Sequence, residues 1–245
     1  MKNSFTLGLR VLKQLIRDKW FLLFSLAAPA LIIFVLKIFF DTFPDQFPVQ
    51  NYILGIAATI VFVITFVLSM ISVVEERVNG TLQRIFVSGI SKTAMIMGYI
   101  YGYLVIATGQ SIIVVFMTLL LFDLELKTAE FAGLLLAIWL LAIASVALGI
   151  LISSFVRRQV QIIPFIPLVM IPSVFLSGII VNIEDLPMPA QIVGKATPLH
   201  YANNIITNVM ASGWSFEIVF VQILPLLLII SAIIFLASLT IKPVE

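Results

Sequence analysis

Six long apolar stretches constrain this chain more than anything else in it. They cover approximately residues 20–40, 52–74, 97–122, 129–154, 161–181 and 217–241, with charge confined almost entirely to their ends. An α-helix rises about 1.5 Å per residue, so about 20 apolar residues cross a hydrocarbon core about 30 Å thick. Within lipid the backbone can bond only to itself, which leaves helices or a closed barrel. A barrel needs alternating segments of about ten residues, and none is seen. The expectation is an all-α integral membrane protein with six transmembrane helices. Composition agrees: 62% of the 245 residues are apolar and 11% charged, against about 45–50% and about 25% in soluble domains. Five basic residues precede Trp20, and the run Trp20–Phe40 is too long for the apolar part of a cleavable signal peptide. It reads as a permanent first span.

The loops give the direction. Lys2, Arg10, Lys13, Arg17 and Lys19 precede the first span, Arg77, Arg84 and Lys92 follow the second, Arg157 and Arg158 follow the fourth, and Lys242 lies in the tail. Eleven of fourteen Lys and Arg thus fall on one side, leaving Lys37, Lys127 and Lys195 on the other. Eight of twelve acids join those three, among them Asp41, Asp45, Asp123, Glu125, Glu184 and Asp185. Cytoplasmic loops carry the basic excess, so both termini are expected inside the cell membrane.

Three segments are not simple spans. Residues 1–19 contain Leu7, Val11 and Leu15 at helical spacing, with Arg10, Lys13 and Arg17 opposite, and predict an amphipathic helix lying along the inner leaflet. In residues 75–91, Gly80 breaks the chain, Thr81 can cap a new helix, Leu82, Ile85 and Phe86 form its apolar face, and Gly89 ends it. Such a projection docks another protein or rests on lipid, and physics alone leaves both open. Residues 182–212 are too apolar for a free loop; Pro187, Pro189 and Pro198 divide them into pieces that suit re-entrant or interfacial outer helices.

Polar residues within the spans are few. Pro164, Pro167 and Pro172, then Ser173 and Ser177–Gly178, interrupt the fifth span. Broken helices border substrate paths or are merely kinked. Thr65, Ser69 and Ser72 share a face of the second span, and Gln110 puts an amide within the third; a buried amide seeks a partner. Gly98 with Gly102, and Ser145 with Gly149, are small-residue pairs that favour close helix packing.

Much chemistry is missing. There is no cysteine, which excludes thiol catalysis and Cys-ligated zinc, and no metal site is expected. A net charge of +2 gives no reason to expect nucleic acid. Gly89-Ile-Ser-Lys92-Thr93 lacks both glycines a phosphate loop requires. No acid lies deep in a span to relay ions. Glu75-Glu76 begins a metalloprotease-like pattern that glycine breaks at position 80, and the only histidine, His200, lies in the outer segment. A chain without its own energy source or catalyst is expected to borrow one. A self-sufficient channel or ion-coupled carrier, and a membrane scaffold, are the alternatives.

The arrangement resembles the permease subunit of ABC-2 type exporters. The carriers are the helix before span one, Glu76-Arg77-x-x-Gly80-Thr81-Leu82-x-Arg84 after span two, and Phe175-Leu176-Ser177-Gly178 through Leu186-Pro187 to Thr197-Pro198-Leu199-His200-Tyr201 outside. Gln83, Asn79 and Thr197 depart from the family pattern. The resemblance implies a single permease domain over 1–245 with the ABC-2 (type V exporter) fold. It implies two permease chains, identical or related, and two copies of a separate cytoplasmic ATPase that binds ATP and Mg, with no cofactor on this chain. Glu76, Arg77, Gly80, Thr81, Leu82, Arg84, Ile85 and Phe86 would form the coupling helix against the ATPase. Thr65, Ser69, Ser72, Gln110, Pro172, Ser173 and Ser177 would line the path, and Pro198, His200, Tyr201 and Asn204 the outer gate. The expected cargo is hydrophobic or amphipathic.

Overall fold

The computed structural model describes residues 2–43, 49–124, 126–213 and 215–241. Asp45, Glu125 and Lys242 of the charge count lie outside them. Among the described residues there are helices and no strands. In order these are α1 (Lys2–Arg17), α2 (Lys19–Thr42), α3 (Val49–Val78), α4 (Thr81–Val87), α5 (Lys92–Phe122), α6 (Thr128–Ser153), α7 (Ile162–Phe175), α8 (Met188–Lys195), α9 (Pro198–Ser212) and α10 (Phe216–Thr240). Five of them, α2, α3, α5, α6 and α10, are long and apolar enough to cross a membrane.

Short local signals set the boundaries. Asp18 separates α1 from α2, its carboxylate accepting from the Phe21 N–H at 3.0 Å, a side-chain cap at a helix start. Ser91 does the same for α5 through the Ala94 N–H. The turn before α4 differs by one residue from expectation. Gly80, not Thr81, holds the cap position, at φ +69°, which glycine adopts without the penalty of a side chain.

The fifth predicted span, 161–181, is broken. A 3-10 turn at Gln159–Gln161 precedes the 14 residues of α7, which alone rise only about 21 Å. Pro167 and Pro172 sit within that helix, and Gly178 at φ +91° turns the chain away after it. The chain nevertheless passes from one end of the bundle to the other here. Val156 accepts a bond from Arg77 near the end of α3, whereas Ile179 packs against Gly55 near its start. The 3-10 turn before α7 rises more per residue than an α-helix and adds to its reach.

α6 is central and packs against α3, α5, α9 and α10. Gly149 lets it approach α3 closely, because a Cβ there would meet the Phe66 carbonyl oxygen at 2.8 Å. Leu199, Ala202, Ile205, Ile206 and Val209 bring α9 into the same core. A second core occupies one end, where Leu7, Val11 and Leu15 of α1 join Leu82 and Ile85 of α4, Val73, Ile150 and Ile241. Both the first helix and the end of the last therefore lie at the α4 end of the bundle.

The placement of α1 changes the reading of its faces. The Leu7, Val11, Leu15 stripe is seated on α5 rather than on lipid. Gly98 and Gly102 form the seat: a Cβ on either would lie 2.8 Å from Leu7 Cδ2 or 2.6 Å from Val11 Cγ1. Phe5, Leu9 and Ile16, about a third of a turn away, are the apolar residues left exposed. Thr6, Arg10, Lys13, Gln14 and Arg17 make a third, polar face. One helix thus offers separate sides to protein, hydrocarbon and water.

Candidate functional site

At the α4 end, the last turns of α3 are fixed by two adjacent charges pointing opposite ways. Glu76, only 3% exposed, accepts a short hydrogen bond from the Tyr99 hydroxyl of α5 and lies 3.6 Å from Arg10 of α1. Arg77 donates to the carbonyls of Ser153 at 2.7 Å and Val156 at 2.9 Å, with Ser154 at 3.4 Å. A cation at the C-terminus of α6 satisfies orphan carbonyls and opposes the negative pole of that helix. Sequence reasoning placed Glu76 and Arg77 on the docking surface; here they hold α3 to α1, α5 and α6.

α4 is mounted on this anchor. Leu82 and Ile85 are buried, and Phe86 is partly buried against the same cluster. The apolar face expected to point outward therefore points into this chain. The physical reason is proximity: the α1–α5 groove lies directly beneath α4 and offers the nearest apolar cover. The outward face consists of Gln83, Arg84, Val87 and Ser88, with Glu75, Val78 and Asn79 beside it. Val87 is 89% exposed. Arg84 is tethered only weakly, to the Asn79 carbonyl at 3.3 Å. Between α1 and α4 lies a cleft of about 770 Å³ bordered by Thr6, Arg10, Arg84 and Ser88.

The polar residues of the second and third spans are inside the chain. Thr65 donates to the Gln110 side-chain oxygen at 2.9 Å, and Ser69 donates to the Phe66 carbonyl. Thr65, Ser69, Ser72 and Gln110 are all buried. Thr108 accepts from the Trp139 indole at 2.8 Å, linking α5 to α6. The half-exposed stripe of α3 is instead Ile56, Thr59, Val63 and Val67, leading to exposed Ile71. On α7, Ser173 is buried and bonds the Val169 carbonyl, while Pro172 is half-buried.

At the other end the contacts around α9 are neutral, while Lys37 and Asp41 pair at 2.8 Å within α2. His200 donates through Nδ1 to the Ser177 carbonyl and accepts from the Asn204 amide at Nε2, each at 3.1 Å. Pro198 starts α9, and Tyr201 meets the His200 ring edge to face at 5.1 Å. Ser177, expected along the path, and His200 and Asn204, expected at the outer gate, form one cluster. Burial holds the His200 pKa below the usual imidazole range; the Ser177 bond opposes this and Lys195 adds to it. Asn203 comes so close to Gly55 that a Cβ there would lie 2.8 Å from Asn203 Oδ1. A cleft of about 500 Å³ opens beside it, edged by Tyr52, Asn182, Asn203 and Thr207.

Sequence reasoning missed two parts of this. Val87 was not among the residues singled out, and nothing local shows that α4 lies on its other side. Tyr99 was not singled out either. The Gly98–Gly102 spacing was the available signal that something packs tightly on α5 near Tyr99.

Fold and site define a class: an all-helical, multi-pass membrane protein carrying a rigidly mounted helical knob at its basic end. Residues 3–211 match the family described as ABC-2 type transporter, and the chain belongs to that family. It is 26% identical over 179 residues to the probable multidrug ABC transporter permease YbhR of Escherichia coli K12, an overlap covering 71% of this chain and 47% of that one. It is 27% identical over 142 residues to the linearmycin resistance permease protein LnrN of Bacillus subtilis, covering 58% and 36%. ABC transporter G family member 20 of Dictyostelium discoideum is 24% identical over 189 residues, covering 70% and 26%. The matches span about half or less of those relatives' lengths.

Proposed function

We propose that this chain is the membrane half of an ATP-driven exporter. Two permease chains, identical or related, enclose the path, and a cytoplasmic ABC ATPase binds each one and supplies ATP and Mg. The six passages of the chain cross the cell membrane with the α4 end and both termini inside, as the basic loops favour. α8 and α9 form the outer re-entrant pair. The cargo is amphipathic, in keeping with the multidrug and linearmycin resistance permeases among the relatives. The path runs between the two chains along the half-exposed stripe of α3 and the Pro172 side of α7. Thr65, Ser69, Ser72 and Gln110 tie the helices that move with it.

One observation carries the reading: α4 is held from beneath by Leu82 and Ile85 and presents Val87 and Arg84 outward. A helix so mounted transmits a push from a partner into α3 and α1. Val87→Asp leaves the chain folded and abolishes co-purification with its ABC ATPase and the ATPase's stimulation by the permease. Undiminished ATPase capture by Val87→Asp together with Arg84→Glu overturns the docking role.

A further inference from the structure

We propose that the cleft between α1 and α4 binds the head group of an anionic phospholipid from the adjoining leaflet, its phosphate bridging Arg10 and Arg84. Three observations meet here. The cleft is lined by Arg10 and Arg84 and by Thr6 and Ser88, the Ser88 hydroxyl donating to the Ile85 carbonyl. It adjoins a second groove that shares Thr6 and Arg10 and runs along α1 past Lys13 to Arg17. That second groove also includes Leu9, which belongs to the exposed apolar stripe of α1 with Phe5 and Ile16. Cationic and hydrocarbon-facing surfaces are therefore continuous, which a phosphate-bearing amphiphile matches and a soluble anion matches only in part.

The arginines have donors to give. Arg84 makes one long bond, to the Asn79 carbonyl, of the five its guanidinium can form. Arg10 is 41% exposed, and its 3.6 Å approach to Glu76 leaves the rest of its fork open. Glu76 offsets part of the Arg10 charge, so Arg84 carries the larger share of the attraction. Because Arg84 stands on α4 and Arg10 on α1, a bound phosphate ties the knob to the surface helix and sets how firmly α4 is held. An anionic lipid then acts as a ligand that stiffens the docking end.

This inference rests on α1 and α4 lying at the membrane surface, as in the proposed function, but not on ATPase docking. The full chain in neutral detergent is mixed with phosphatidylglycerol or phosphatidylcholine, and bound lipid is counted by native mass spectrometry. A basic residue near an anionic surface contributes about 1 kcal/mol, or about fivefold. Phosphatidylglycerol is retained in preference to phosphatidylcholine; Arg84→Gln reduces that preference about fivefold, Arg10→Gln reduces it by less because Glu76 already offsets part of that charge, and the double variant loses more than either. Arg84→Lys and Arg157→Gln, the latter outside the cleft, keep most of it. An unchanged preference in Arg84→Gln overturns the site, as does equal loss in Arg84→Lys. Displacement of the lipid by millimolar inorganic phosphate overturns the lipid and assigns the cleft to a soluble anion. If Val87→Asp loses the ATPase yet keeps the lipid preference, the two proposals stand or fall apart.

Discussion

The two ends of the bundle are built from different interactions. At the α4 end, ionised groups do the tying: Glu76 faces Tyr99 and Arg10, and Arg77 reaches the carbonyls that close α6. At the α9 end, His200, Ser177 and Asn204 are joined by hydrogen bonds between neutral groups, and the ion pair Lys37–Asp41 lies within α2 and ties no two elements together. Charge-assisted bonds are about twice as strong as neutral ones. A half-satisfied buried charge is also far costlier than a half-satisfied amide. The α4 end is therefore expected to be the costlier of the two to open, although Glu76 Oε1 has only the 3.6 Å approach of Arg10 and no hydrogen bond.

Four experiments would break or sharpen that contrast. The largest effect is expected of Leu82→Asp, which places a carboxylate in the second core where Leu82 is 1% exposed. Loss of about 4 kcal/mol is expected, against no more than about 0.5 kcal/mol for Val87→Asp five residues on. Thermal unfolding in detergent, followed by near-UV circular dichroism, separates them. Equal melting of the two would mean that α4 does not sit on its Leu82 face.

Next comes Arg77→Ala, which strips the end of α6 of its cation and costs about 3 kcal/mol. His200→Ala at the other end costs about 1 kcal/mol. If the order were reversed, the contrast between the ends would be lost.

Gly102→Val crowds Val11, with which even a Cβ collides at 2.6 Å. About 2 kcal/mol of overpacking is expected, concentrated in the α1–α5 contact, so trypsin should cut at Arg10 and Lys13 sooner than in the parent. Unaltered cleavage rates would detach α1 from the α4 end.

The smallest effect is the pH response of His200. Its pKa is lowered by burial, so the folded chain binds fewer protons than the unfolded chain below the unfolded value of about 6.5. The stability it confers is complete above about pH 6.5 and declines as pH falls through the lowered pKa. Protonation also gives Nε2 a hydrogen that faces the Asn204 amide. The protection of the α9 amides, corrected for the intrinsic pH dependence of exchange, should fall between neutral and mildly acid pH and be nearly flat in His200→Gln. A flat profile in the parent would show that the α9 end does not respond through this residue.

Apolar run length, basic residues gathered in alternate loops and glycines at turns are properties of the linear chain. They determined that the described residues are helical, where most helices begin and end, that the first helix and the end of the last fall at one end, and that a short helix follows Gly80. These features are local, or depend only on lipid being apolar, so neighbouring helices cannot overrule them. Which side of each helix meets which neighbour is a different kind of question. Leu82, Ile85 and Phe86 promised an outward apolar face, but the α1–α5 groove covers Leu82 and Ile85 and leaves Val87 outside. The stripe on α1 matched lipid in the sequence and found Gly98 and Gly102 in the fold. Thr65 and Gln110 suggested a path and proved to be each other's partner. In a chain this apolar, lipid and protein are nearly equivalent solvents for a leucine. Only close packing and hydrogen-bond pairing, which require the assembled bundle, decide between them.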